Sequence, residues 1–191
     1  GVVERASVIT GSDVMAGDVV IGLPSVGLHT NGYSLARKIA FEAAGLSAGD
    51  AVEELGGSVG DELLKPHRSY VKACLDLARN VGVSAFAHIT GGGLLENSAR
   101  ILPDGTRIRL DPSLWDRLPV FDWLQREGGV ADFEMYRVFN MGIGMLAIVR
   151  PDARAAALEL LATHGDSARV IGEVIPGAPG VDIVNIGGSD R

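Results

Sequence analysis

Three stretches of this sequence combine residue types that can hold or transfer charge. The first is His88-Ile89-Thr90-Gly91-Gly92-Gly93. Glycines that end a strand and open a helix leave backbone N–H groups pointing into a space no side chain blocks, where the helix dipole favours an anion. Thr90 adds a hydroxyl. The same glycines could also do no more than relieve strain in a tight turn, although three in succession exceed what a turn requires. The second stretch is Gly27-Leu28-His29-Thr30-Asn31-Gly32-Tyr33-Ser34, a loop between a strand and a helix. Thr30 or Asn31 could serve as helix caps. A cap needs no imidazole beside it, so His29 reads as a donor to a phosphate or a proton shuttle near neutral pH.

The third stretch is Glu134-Met135-Tyr136-Arg137-Val138-Phe139-Asn140-Met141-Gly142-Ile143-Gly144-Met145. Gly142 to Ala147 fits G-x-G-x-x-A, but these glycines precede a strand where a dinucleotide site needs them to follow one, so that site is rejected. Arg137 and Asn140 remain, either as polar functional groups or as an exposed helix end. Elsewhere, His29, His67, His88 and His164 show no metal-ligand spacing, and no P-loop or nucleophile elbow occurs. His88 is expected on a buried strand as a core histidine, His67 as an exposed helix-start residue, and His164 as a solvated helix C-terminus. Cys74, on the apolar stripe of a helix, reads as packing.

The elements that must position these groups follow from periodicity. Strands are expected at 19–23, 84–89, 107–110, 143–149, 168–175 and 181–186. One helix should run from Gly32 to Gly45 with Leu35, Ala36, Ile39, Ala40 and Ala43 inward. A second should follow Pro66 and bury Tyr70, Val71, Cys74, Leu75 and Ala78. Shorter helices are expected after the triple glycine and over 112–139, broken at Pro119 and Gly128-Gly129, with another over 152–163. Residues 46–60, acidic and glycine-rich, read as a surface connection most mobile at Gly56-Gly57-Ser58. Strands and helices alternate without repeats, which makes the fold α/β (α+β by some schemes), a mixed β-sheet covered by helices.

The 191 residues suit one domain, and 47% hydrophobic residues with 5% aromatics leave core packing mainly to aliphatic side chains. A net charge of −7 disfavours nucleic-acid and anionic-membrane partners but not a local pocket for a phosphate ester. The single cysteine permits no internal disulfide. With no apolar run near the ~20 residues of a membrane span and no signal-peptide pattern, a soluble cytoplasmic protein is expected.

Taken together, the three stretches, with Gly1-Val2-Val3-Glu4 and Leu64-Lys65-Pro66, closely resemble the phosphoribosylformylglycinamidine cyclo-ligase family, the aminoimidazole ribonucleotide synthetases of purine biosynthesis. The likeness runs from residue 1 to about 186. Family members more often carry proline and serine where this chain has Leu28 and Thr30, and threonine keeps the hydroxyl. The resemblance implies ATP-dependent ring closure of formylglycinamidine ribonucleotide, giving ADP and phosphate. It further implies that Thr90, Gly91, Gly92 and Gly93 hold the substrate's 5′-phosphate and that His29 and Asn31 face the transferring phosphoryl group or the reacting amide. Ser34, Glu96, Arg137 and Asn140 are further polar candidates. It implies Mg²⁺ with the ATP, held in an N-terminal domain that also forms a homodimer core. Residues 1–191 then read as the C-terminal domain alone, expected to be inactive by itself and to hold no metal ligands. A related superfamily enzyme, such as formylglycinamidine ribonucleotide synthetase, or a non-catalytic phosphate-binding domain, is the alternative.

Overall fold

Val19–Pro24 forms β1, whose uninterrupted apolar run matches a strand buried on both faces. After it come α1 (Tyr33–Lys38), the short strands β2 (Ala51–Val52) and β3 (Gly57–Ser58), and α2 (Val59–Leu63). The next elements are α3 (Val71–Asn80), β4 (Ala85–His88), α4 (Gly93–Ala99) and β5 (Thr106–Leu110). The helices α5 (Pro119–Gly128) and α6 (Asp132–Val138), strand β6 (Ile143–Val149), helix α7 (Arg154–Thr163) and strands β7 (Arg169–Pro176) and β8 (Val181–Ile183) complete the order. This computed structural model describes residues 2–186; Gly1 of the opening motif and residues 187–191 of the expected domain lie outside the described residues.

Six strands make one mixed sheet in the order β4-β6-β1-β7-β5-β8. All neighbours are antiparallel except β5 and β8. On one face Val20, Leu146, Ile148 and Ile108 pack under Ala36, Leu94, Phe121 and Met135. On the other, Ile21, Leu23, Ala147 and Val149 meet Tyr70, Ala73 and Leu77 near or on α3 and Ala157 and Leu161 of α7. The expected strands, the breaks at Pro119 and Gly128-Gly129, and the helix before His164 all form.

Three local expectations are corrected. The helix after Gly32 ends in a π-turn over Ile39–Ala43, closed by Ala44 N–H on the Ile39 carbonyl at 2.8 Å. The extra residue in that turn rotates Ala43 out and leaves Phe41 and Ala44 partly buried against the core. Next, α3 begins at Val71 and is rolled from the expected phase, with Tyr70, Ala73 and Leu77 buried and Val71 and Leu75 exposed. The Tyr70 hydroxyl donates to the Pro24 carbonyl at 2.8 Å, which ties the residue before α3 to the end of β1. Lastly, residues 46–60 are not a plain connection. Ser58 and Asp61 form a capping box on α2, and Val59 inserts into the core.

Register brings the three chemical stretches together. Pro24 at the end of β1 pairs with Ile143 at the start of β6, and His88 at the end of β4 pairs with Met145. The loops after β1 and β4 and the loop before β6 therefore emerge side by side.

Candidate functional site

The glycines after β4 have different tasks. Gly92 is left-handed (φ +101°) and caps α4, and a Cβ on it would meet the Glu96 side chain at 2.6 Å. Gly93 (φ +58°) is buried, and a Cβ there would lie 2.4 Å from the Tyr136 carbonyl oxygen at the end of α6. Only Gly91 faces open space. Strain relief and close packing thus account for two of the three. The Gly93 N–H is spent on the Thr90 carbonyl at 3.0 Å, and the Thr90 hydroxyl donates to Asn97 Oδ1 at 3.2 Å. The amides of Gly91 and Gly92 are the donors this turn can offer an anion. Glu96 is exposed over the turn with Arg100 3.5 Å from its carboxylate, a cation that partly offsets its repulsion of an incoming anion.

The loop after β1 holds His29 and Thr30 at φ +50° and +63°, a left-handed pair that side chains with a Cβ rarely adopt. Asn140, fully buried, keeps the loop in this shape. Its Nδ2 donates to the carbonyls of Gly27 (2.9 Å) and Leu28 (3.0 Å), while its Oδ1 accepts from Ser25 Oγ (3.0 Å) and Gly142 N–H (2.9 Å). Asn140 is therefore no exposed helix end. Asn31 is buried as well, and its Nδ2 donates to the Ile89 carbonyl at 2.9 Å, tying this loop to the glycine turn. Neither it nor Thr30 caps α1, whose cap is Gly32 without a side-chain bond; the Thr30 hydroxyl turns back onto the His29 carbonyl at 2.6 Å.

His29 is 4% exposed. Its Nε2 accepts from the Val26 N–H (3.2 Å) and the Arg68 N–H (3.4 Å), which places the proton on Nδ1. Nδ1 is buried and has no hydrogen-bond partner among the described residues. The His67 ring stacks on it at 4.1 Å, and His88 meets His67 edge-on at 5.2 Å. Burial first, then the charges of His67, His88 and Arg68, lower the His29 pKa to about 4. The imidazole is thus a neutral N–H donor at pH 7 in this arrangement, and the expectation of a shuttle titrating near neutrality is corrected. His88 is exposed, not a core histidine, because it is the last residue of an edge strand; burial of part of its ring and the nearby His67 still lower its pKa.

Above pH 6.5 His29 is neutral folded and unfolded. Between 6.5 and about 4 only the unfolded chain takes up the proton, so stability falls as pH drops through this window. The loss from this group should be on the order of 2–3 kcal/mol by pH 4. Urea unfolding at pH 7.5 and 4.5 should show His29→Gln losing less stability on acidification than wild type. An equal acid loss in both proteins would refute the assignment.

Ser34, Arg137 and His164 stand apart from this cluster. Ser34 is exposed on α1, and Arg137 is exposed and paired with Glu134 at 2.7 Å. His67 is exposed but precedes the helix, and His164 ends α7 beside Asp76 at 2.8 Å. Residue typing overlooked Ser25, Tyr70 and Asn97. Asn97 sits inside the motif read for its glycines, and Tyr70 was counted only as core. His67, Tyr70, Cys74, His88 and Met145 border a groove of about 560 Å³. Burial raises the Cys74 thiol to about 11, which suits packing over reactivity. Among the described residues no group of three or more His, Cys, Asp or Glu side chains is placed to hold a metal ion, so these residues do not fit a magnesium site.

Comparison with known proteins gives a consistent outcome. Residues 15–184 match the family described as AIR synthase related protein, C-terminal domain. Phosphoribosylformylglycinamidine cyclo-ligase of Geobacillus kaustophilus (strain HTA426) is 47% identical over 178 residues, covering 93% of this chain and 51% of that protein. The chain spans about half the length of the curated relatives it matches. Among solved structures, thiamine-monophosphate kinase from Stenotrophomonas maltophilia K279a superposes with a TM-score of 0.64 at 18% identity, over 95% of this chain and 54% of that one. Hydrogenase maturation protein HypE in complex with ATP gives 0.60 at 20% identity, over 91% and 50%. At those identities the structures share the fold. No helix among the described residues is long and apolar enough to cross a membrane.

Proposed function

The chain belongs to the AIR synthase related C-terminal domain family, and from that premise we propose that it supplies one side of the active site of a phosphoribosylformylglycinamidine cyclo-ligase. The observation that carries the reading is the adjacency of two loops. A turn with outward amides at Gly91 and Gly92 stands beside a loop that buries an unpartnered donor, His29 Nδ1, and Asn31 joins them at 2.9 Å.

In this reading the substrate is formylglycinamidine ribonucleotide and the second substrate ATP, as the names of the relatives and the ATP-bound neighbour support. The amide oxygen of the substrate is a poor leaving group. Its attack on the γ-phosphorus of ATP moves the phosphoryl group onto that oxygen and releases ADP, and attack of the amidine nitrogen on the activated carbon then expels phosphate and closes the imidazole ring. The Gly91 and Gly92 amides hold the 5′-phosphate. His29, neutral, donates from Nδ1 to the oxygen that gathers negative charge. Asn31 spaces the two loops through Ile89. Any magnesium that accompanies the triphosphate would be held in the half of the enzyme beyond this domain, where this reading also puts the acidic groups and the homodimer core, with the reaction in the cytoplasm.

The test uses the complete enzyme that carries this domain, assayed with formylglycinamidine ribonucleotide and ATP. His29→Ala should lower kcat about 100-fold or more, as expected for loss of a buried donor to a developing oxyanion. Wild-type turnover in that variant would sink the assignment.

A further inference from the structure

Resting on the reading that the turn after β4 receives the 5′-phosphate, we propose that Asn97 is the positioning residue that aims the turn's amides at that group. Asn97 lies on α4, 6% exposed. Its Nδ2 donates to the carbonyls of Thr90 (3.0 Å), Gly91 (3.2 Å) and Gly93 (2.9 Å). Two N–H protons serve three acceptors, so at least one is shared. Its Oδ1 accepts the Thr90 hydroxyl proton at 3.2 Å and is approached by Arg100 at 3.4 Å. One side chain therefore fastens the turn from within.

The consequence lies in the peptide planes. No peptide bond among the described residues is cis. In a trans peptide the carbonyl of one residue and the N–H of the next point in opposite directions. With the Thr90 and Gly91 carbonyls drawn onto Asn97, the N–H groups of Gly91 and Gly92 point away from it. If either plane flipped, a carbonyl oxygen would replace a donor and repel an anion. Glycine permits such a flip more readily than any other residue. Asn97 holds the permissive turn in the donor-outward state, which a run of glycines cannot do alone.

The experiment uses this chain, with ¹⁵N NMR titration by ribose 5-phosphate and amide hydrogen exchange, in wild type and Asn97→Asp. In wild type the phosphate should move the Gly91 and Gly92 signals, with Gly93 protected by its bond to Thr90. The introduced carboxylate cannot donate to the three carbonyls. Affinity at pH 7.5 should fall at least tenfold and Gly93 protection should drop. The introduced carboxyl, buried among carbonyls, has a raised pKa and donates again once protonated. Affinity relative to wild type at the same pH should therefore recover as pH falls, a response that general loosening of α4 would not produce. Should that variant fail to fold, Asn97→Ser, with one donor, should give an intermediate loss of affinity. Unmoved wild-type signals would overturn this proposal together with the phosphate reading. Unchanged affinity and protection in the variants, or a loss that ignores pH in Asn97→Asp, would overturn the proposal alone.

Discussion

An Asn140→Ala protein is expected to be about 3–5 kcal/mol less stable than wild type, a large share of the stability of a domain of this size. Truncation strands the Ser25 hydroxyl, the Gly142 N–H and the Gly27 carbonyl, while the Leu28 carbonyl keeps only the Asn31 N–H at 2.9 Å. Each unpaired buried group costs roughly 1–3 kcal/mol, although the loop can recover part of it by shifting. What it would shift away from is the left-handed pair at His29 and Thr30, which without its clamp has reason to relax toward ordinary backbone angles. Two measurements check this. Urea unfolding at pH 7.5 reports the lost stability. The His29 pKa, followed by NMR, should rise from about 4 toward the ordinary 6.5 as the ring gains water. Asn140→Asp keeps the acceptor but sets an anionic oxygen against two carbonyls, so it should be nearly as damaging at pH 7.5. A loss below about 1 kcal/mol in Asn140→Ala would mean the clamp is redundant.

Gly93→Ala should rival that loss, at about 3 kcal/mol or more. The new methyl would meet the Tyr136 carbonyl oxygen at 2.4 Å and the Arg137 carbonyl carbon at 2.8 Å. Both are backbone atoms at the end of α6, so no rotamer change relieves the clash. Moving α6 would pull Met135 and Tyr136 from the core. The left-handed backbone adds its own penalty for any residue with a Cβ. Gly91→Ala is the matched control, with nothing within 4 Å of the added methyl, and should fall within about 1 kcal/mol of wild type. Equal behaviour of the two variants in thermal or urea unfolding would mean the turn is less tightly packed than described.

The order of strands and helices was legible because apolar period reports burial directly. The run at 19–23 faces helices on both sides, and the breaks at Pro119 and Gly128-Gly129 are local backbone chemistry. The azimuth of α3 was not legible. Val71, Cys74 and Leu75 make as good an apolar stripe as Ala73 and Leu77, and packing of Tyr70, Ala73 and Leu77 against β1 and α7, which exists only in the folded chain, decides between them. The capping box at Ser58 and Asp61 has the Ser-x-x-Asp spacing of a helix start, and the glycines around it mask that signal.

For the candidate site, the residues alone pointed to three stretches, their order and the family they resemble. They also pointed to a triple-glycine turn suited to an anion, since glycine's freedom is written in the residue type. The protonation state of His29 belongs to the tertiary structure. The Arg68 N–H that occupies its Nε2 comes from 39 residues along the chain, and the ring stacked on its face is His67. The division of labour among the three glycines also depends on α6 and Asn97, which pack against them only once the sheet has formed. Residue types and spacing establish which groups can do chemistry. Which of them are neutral, spent or still able to donate depends on hydrogen bonds and burial between distant segments, and these exist only after folding.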